Sequence, residues 1–160
     1  MTRRGVAAGY LVRADRPDAP EVRALLAIHL RWTRMISPPQ DVHALAVEEL
    51  LASRVAFVSI RCEGVLLGVG ALKQLEPGHA EVKSMHTAEA ARGRGVGRAL
   101  LDHLVATARS TGIERLSLET GSMREFAPAR TLYESAGFRR CPPFGDYVDS
   151  PNSVYLTLVL

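Results

Sequence analysis

The spacing of apolar and polar positions changes several times along the chain, and each change predicts an element. "GYLVRAD" (9–15) suits a first strand. Over 16–32, Val22, Leu25, Leu26 and Leu30 fall on one face at helical spacing, and Asp18 with Glu21 has the form of a capping box. A loop is expected over 33–41, because Pro38-Pro39 is incompatible with a helix interior. A short second helix follows over 42–53. "VAFVSIR" (55–61) and "VLLGVGALKQL" (65–75) read as paired strands around a Glu63-Gly64 turn. Gly68 and Gly70 inside the second of them suggest a bulge or a close approach.

"AEVKSMHT" (80–87) is a further strand. Helical spacing returns over 96–110, where Val96, Leu100, Leu101, Leu104, Val105 and Ala108 make one face and Gly112 suits the left-handed stop. A strand over 113–121, a short helix over 126–138 with Pro128 in its first turn and Gly137 at its stop, and a closing strand over 155–160 complete the pattern. The order is β-α-α-β-β-β-α-β-α-β-β, a mixed α/β sheet in a single domain over 1–160.

Composition narrows the function. A chain of 160 residues fits one domain, with 47% apolar and 23% charged residues, as in an ordinary soluble protein. No apolar run approaches the ~20 residues that span a bilayer. The first residues, with Arg3 and Arg4 and only a short apolar patch, make a poor secretory signal, so a cytoplasmic location is expected. Cys62 and Cys141 stand far apart in no CxxC pair, which leaves them as small core fillers and predicts no metal site. The net charge of +3 comes almost wholly from arginine, without the basic stripe of a nucleic-acid binder. No nucleic-acid or membrane partner is expected, and a homodimer is left open.

One basic cluster stands out, "ARGRGVGRALLDHL" (91–104), with bare glycines and arginines at the start of a predicted helix. Such a start suits an anion, usually a phosphate. The Walker A pattern fails, since no lysine follows Gly97, and the dinucleotide pattern fails, since position 98 is Arg98. Arg92-Gly93-Arg94-Gly95-Val96-Gly97 fits Arg/Gln-x-x-Gly-x-Gly/Ala. This resembles the pyrophosphate motif of the Gcn5-related N-acetyltransferases, the GNAT superfamily. "AEVKSMHT" resembles that family's splayed fourth strand, and "ARTLYESAGF" its fourth-helix signature. "SLETGSM", "PFGDY" and "SPNSVYLTL" are similar to a bacterial subgroup labelled YsnE-like.

The resemblance implies a mostly antiparallel sheet of six to seven strands, about four helices and splayed fourth and fifth strands. It implies acetyl-CoA as co-substrate and direct transfer of an acetyl group to a primary amine, that of a small molecule in the first instance. A protein or peptide N-acetyltransferase and a non-catalytic acyl-CoA-binding module are the alternatives. The cofactor would meet Met85, His86 and Thr87 on the strand, residues Arg92 to Arg98 at the helix start, and Phe126 and Ala129 further on. Phe126 stands where the family often has an asparagine, so an apolar contact or Ser122 replaces that bond. Tyr133 falls where the family often keeps a tyrosine near the CoA sulfur, and it could protonate the leaving thiolate; its other reading is a core ring. Glu81 is the first choice of base, Glu119 the second and His86 the third. The acceptor pocket usual in the family draws in Trp32, Arg34, Thr120 and Tyr147, with Ser37, His43, Phe144 and Asp146 around them. Arg34 would grip a carboxylate on the acceptor.

Overall fold

A computed structural model describes residues 9–52 and 54–160; the weak signal-like start lies outside them. The strands are β1 (Tyr10–Ala14), β2 (Val55–Cys62), β3 (Val65–Glu76), β4 (His79–Thr87), β5 (Arg115–Gly121), β6 (Arg139–Arg140) and β7 (Ser153–Val159). The helices are α1 (Pro20–Ile36), α2 (Val47–Leu50), α3 (Val96–Ser110) and α4 (Ala127–Ser135), with single 3-10 turns at Pro39–Asp41, Glu89–Ala91 and Arg124–Phe126. The strands form a seven-stranded sheet in the order β1-β2-β3-β4-β5-β7-β6. Every neighbouring pair is antiparallel except β4 and β5. The expected mixed, mostly antiparallel sheet with four helices is therefore what the chain forms.

Helices cover both faces. On one, Leu100, Leu101 and Leu104 of α3 pack with Leu116 and Leu118 of β5 and with Tyr133 of α4. On the other, Val22, Leu25 and Leu26 of α1 and Leu50 of α2 pack on Phe57, Val69 and Ala71. Each such side chain taken out of water contributes about 1.5–3 kcal/mol, so two layers of them hold the sheet between the helices.

Two irregularities open the sheet. β4 and β5 pair only at His79–Glu81 with Arg115–Ser117 and then part, which is the expected splay. Between β3 and β4 the register steps from Val69↔His86 to Ala71↔Lys83, so Ser84 and Met85 together oppose Gly70. Ser84 takes φ +56° there, the left-handed conformation a bulged strand uses to re-aim its backbone. Gly68 is required by a backbone neighbour, and Gly70 makes room for a side chain. A Cβ on Gly70 would lie 2.9 Å from the Met85 sulfur, and one on Gly68 2.9 Å from the His86 carbonyl oxygen.

Three departures from the pattern have a visible cause. α1 runs to Ile36, beyond the expected end at residue 32, because the stop is set at Ser37, which precedes Pro38 and is held extended. Asp18 caps nothing: the N-cap is Ala19, and Asp18 pairs with Arg16 at 2.8 Å. The second helix shrinks from 42–53 to Val47–Leu50, since the His43 carbonyl accepts a bond from Lys83 instead of a helical amide. No helix among the described residues is long and apolar enough to cross a membrane.

Candidate active site

Where β4 and β5 part, an inner cleft of about 670 Å³ runs from the start of α3 to the end of α1. One end is a backbone cradle. Gly93 and Gly95 have φ +74° and +80°, and a Cβ on either would meet no atom within 4 Å. The first turn of α3 leaves its leading N–H groups without helical partners, and Ala99 N–H is the first to bond back, to Gly95 O at 3.0 Å. Tyr10 steadies this loop by donating to the Arg94 carbonyl at 2.9 Å. Open space, aligned donors and the positive end of a 15-residue helix suit a pyrophosphate, so the residues present fit a CoA group.

Of the residues singled out in the sequence, the fold brings Met85, His86, Thr87, Arg92, Gly93, Gly95, Val96, Gly97, Arg98, Phe126, Ala129, Tyr133, Glu81, Trp32, Thr120 and Tyr147 to this one cleft. Arg94 offers its backbone to Tyr10 and its side chain lines neither the inner cleft nor the outer one described below. Arg98 is tied along its own helix to Asp102 at 2.9 Å. Arg34 is a correction. It sits in the last turn of α1, exposed, and lines neither cleft, because the helix continues through the segment expected to be a loop. Ser122 donates to the Pro151 carbonyl at 2.7 Å. The wall at the asparagine position is instead Phe126, whose ring lies over Gly121 and meets Trp32 edge-on, with centroids 4.8 Å apart.

The carboxylates separate by environment. Glu81 is 3% exposed. It accepts a hydrogen bond from the Tyr147 hydroxyl and lies 3.3 Å from the Lys83 ammonium. Glu119 has no such partner among the described residues, and burial holds its pKa up at about 7, with Lys83 pulling down and Glu81 and Asp41 pushing up. A carboxyl that titrates near neutrality and faces a cleft is suited to take a proton at pH 7. Tyr133 is 7% exposed and faces the same cleft; burial, and then Glu119, push its phenol upward, so it stays protonated. His86 and His29 meet Nδ1 to Nδ1 at 3.1 Å, and burial lowers them to about 4 and about 3. Both are neutral at pH 7 and poor proton acceptors. Strand alternation does separate His86 from Met85, which packs against Gly70 and the α3 core.

An outer cleft of about 960 Å³ adjoins the inner one, walled by the segment around His43 and by the loop from Phe144 to Asn152. His43, Glu81, Lys83 and Tyr147 line both, so they form the partition. Cys62 and Cys141 are free and line neither cleft. Among the described residues no three metal-ligating side chains gather. Lys83 was not foreseen. Its signal was present in Glu81-x-Lys83, since alternate residues of a strand share a face.

A family model described as Acetyltransferase (GNAT) family matches residues 21–138. The chain is 44% identical over 146 residues to an uncharacterised Bacillus subtilis N-acetyltransferase, YsnE, covering 91% of this chain and 97% of the relative. It is 34% identical over 127 residues to an Azospirillum brasilense protein named IAA acetyltransferase, covering 79% and 82%. A solved Klebsiella pneumoniae structure, provisionally described as an acyl-CoA N-acyltransferase, superposes with a TM-score of 0.78 at 29% identity, over 94% of this chain and 97% of that one.

Proposed function

The chain belongs to the GNAT acetyltransferase family, and from that premise we propose that it moves an acetyl group from acetyl-CoA directly to the primary amine of a small molecule. Its family makes it an acyl-CoA-dependent acetyltransferase; the acceptor and the residue roles are the proposal. The observation that carries it is the convergence of Glu119 and Tyr133 on one cleft, with an anion cradle at the far end and a second cleft behind the partition.

Acetyl-CoA, when bound, supplies the acyl group and a thiolate leaving group. The N–H groups of residues 93–98 would hold its pyrophosphate, with Arg92 adding charge. Met85, His86 and Thr87 would line one side of the pantetheine arm and Phe126 with Ala129 the other. The bulge at Ser84–Met85 leaves strand backbone out of the β3 ladder, and the Met85 N–H there would meet the developing negative charge on the carbonyl oxygen. Glu119 takes the proton of the acceptor ammonium and so frees its nitrogen to attack. Tyr133 would give its phenolic proton to the departing sulfur, and the second proton that the nitrogen loses as the amide forms would restore the phenol. Glu81, engaged by Lys83 and Tyr147, is left to shape the partition. The absence of both cysteines from the clefts supports direct transfer over an acyl-cysteine route.

The acceptor would enter by the outer cleft, whose size suits a small molecule, past Trp32, Thr120 and Tyr147. Turnover of a primary amine by wild type, Glu119→Gln and Tyr133→Phe tests the assignment. Each variant should lose 10²–10⁴-fold in kcat and keep its affinity for acetyl-CoA. Near-normal kcat in either removes that residue from its role.

A further inference from the structure

Lys83 is a lysine with almost no access to water: its side chain is 9% exposed. Its three protons meet three acceptors, the His43 carbonyl at 3.0 Å, the Tyr147 hydroxyl at 3.0 Å and Glu81 Oε2 at 3.3 Å. These partners come from three separate stretches of chain: the segment between the Pro39–Asp41 turn and α2, the loop before β7, and β4 itself. Tyr147 closes the ring by donating to the same Glu81 oxygen and stands edge-on to His43 at 4.9 Å. One ammonium thus ties together the two loops that wall the outer cleft, at the partition with the inner one.

We propose that Lys83 is a positioning residue for the amine acceptor: it pins the His43 and Tyr147 segments to β4 and, by pairing with Glu81, leaves Glu119 as the proton acceptor of the cleft. The second half rests on the reading of Glu119 as base; the first does not. The ionisable groups around Glu119 are Lys83 and Glu81 of β4, Asp41, Tyr133 of α4, and Tyr147 and Tyr155. Lys83 is the cation among them, so removing it disfavours the Glu119 carboxylate and moves its titration to higher pH.

The test uses the whole chain, with a primary amine that it acetylates and acetyl-CoA. In Lys83→Met the acid limb of kcat/KM should move to higher pH. The amine KM should rise about tenfold, in line with lost hydrogen bonds to a charged group, while the KM for acetyl-CoA changes little. Lys83→Arg, which keeps the charge, should return the limb toward its original pH. Amide exchange in the resting protein should quicken together at 42–46 and 144–149. Tyr147→Phe serves if the methionine variant fails to fold: it should raise the amine KM with the limb unmoved. An unmoved limb in Lys83→Met, with Glu119→Gln inactive, overturns the electrostatic role. Unchanged amine KM and unchanged exchange overturn the clamp, whatever becomes of Glu119. An active Glu119→Gln would remove the base assignment separately.

Discussion

Glu119→Gln should stabilise the folded protein at alkaline pH while it abolishes turnover. The wild-type carboxyl ordinarily titrates at 4.5, and burial raises it to about 7 in the fold. Between those values the folded state binds the proton more tightly than the unfolded chain. Stability therefore falls as pH rises from about 4.5 to about 7, and stays lower above that. At 1.36 kcal/mol for each pH unit, the full rise is worth about 3 kcal/mol, and solvent reaching the carboxyl trims this to on the order of 2–3 kcal/mol. Glutamine cannot ionise and escapes the penalty. For a chain of this size 1 kcal/mol is about 2–4 °C in Tm, so the variant should melt roughly 4–12 °C higher at pH 8 and nearly level with wild type near pH 4.5. The assay is thermal melting of both proteins across pH 4.5–8.5, read as a difference so that the histidines common to both cancel. A Tm difference that does not grow with pH, or a variant less stable at pH 8, would show that the carboxylate is compensated in the fold.

Three further outcomes follow from the same geometry. Acetyl-CoA at about 100 times its Kd should add about 2.7 kcal/mol of stability to wild type, and Gly95→Asp should show no such shift in melting, since it sets a carboxylate in the cradle at a φ of +80°. Gly121→Ala would place a Cβ 2.2 Å from the Phe126 ring, so it should cost about 1–3 kcal/mol by overpacking. Adding Phe126→Ala should recover most of that loss, and additive effects in the denaturant-unfolding cycle would disprove the contact. Arg34→Ala should leave both KM values at wild-type levels, as an exposed residue outside both clefts; a selective loss of affinity for acids over their amides would reinstate the carboxylate grip.

Much of the fold was legible because strong local signals agreed with burial. The α3 face from Val96 to Ala108 is the face that packs, and the glycines at 68, 70 and 112 stand at close approaches or a left-handed turn. Boundaries failed where a neighbour in space decided them, as at residues 42–46, where Lys83 holds a carbonyl that a helix would need. In the candidate site the glycine cradle could be read from the chain, since its geometry is local. The different surroundings of Glu81 and Glu119 could not be, because they depend on where Lys83 and Tyr147, 36 and 28 residues from Glu119, deliver their hydrogen bonds. Arg34 was misplaced for a related reason: the proline that ends α1 acts one residue before itself, and the helix carries the arginine to the surface.

Acetylation of a small primary amine from acetyl-CoA, as proposed for this GNAT chain, can be tested directly. A panel of small primary amines, with peptides bearing free N-termini or lysines alongside, should be incubated with acetyl-CoA and scored by free-thiol release and by mass spectrometry of the product. At least one small amine should yield N-acetylated product in step with thiol release, and Glu119→Gln should lower that yield at least 10²-fold. Acetylation confined to the peptides, or acetyl-CoA binding without transfer to any amine, would contradict the proposal.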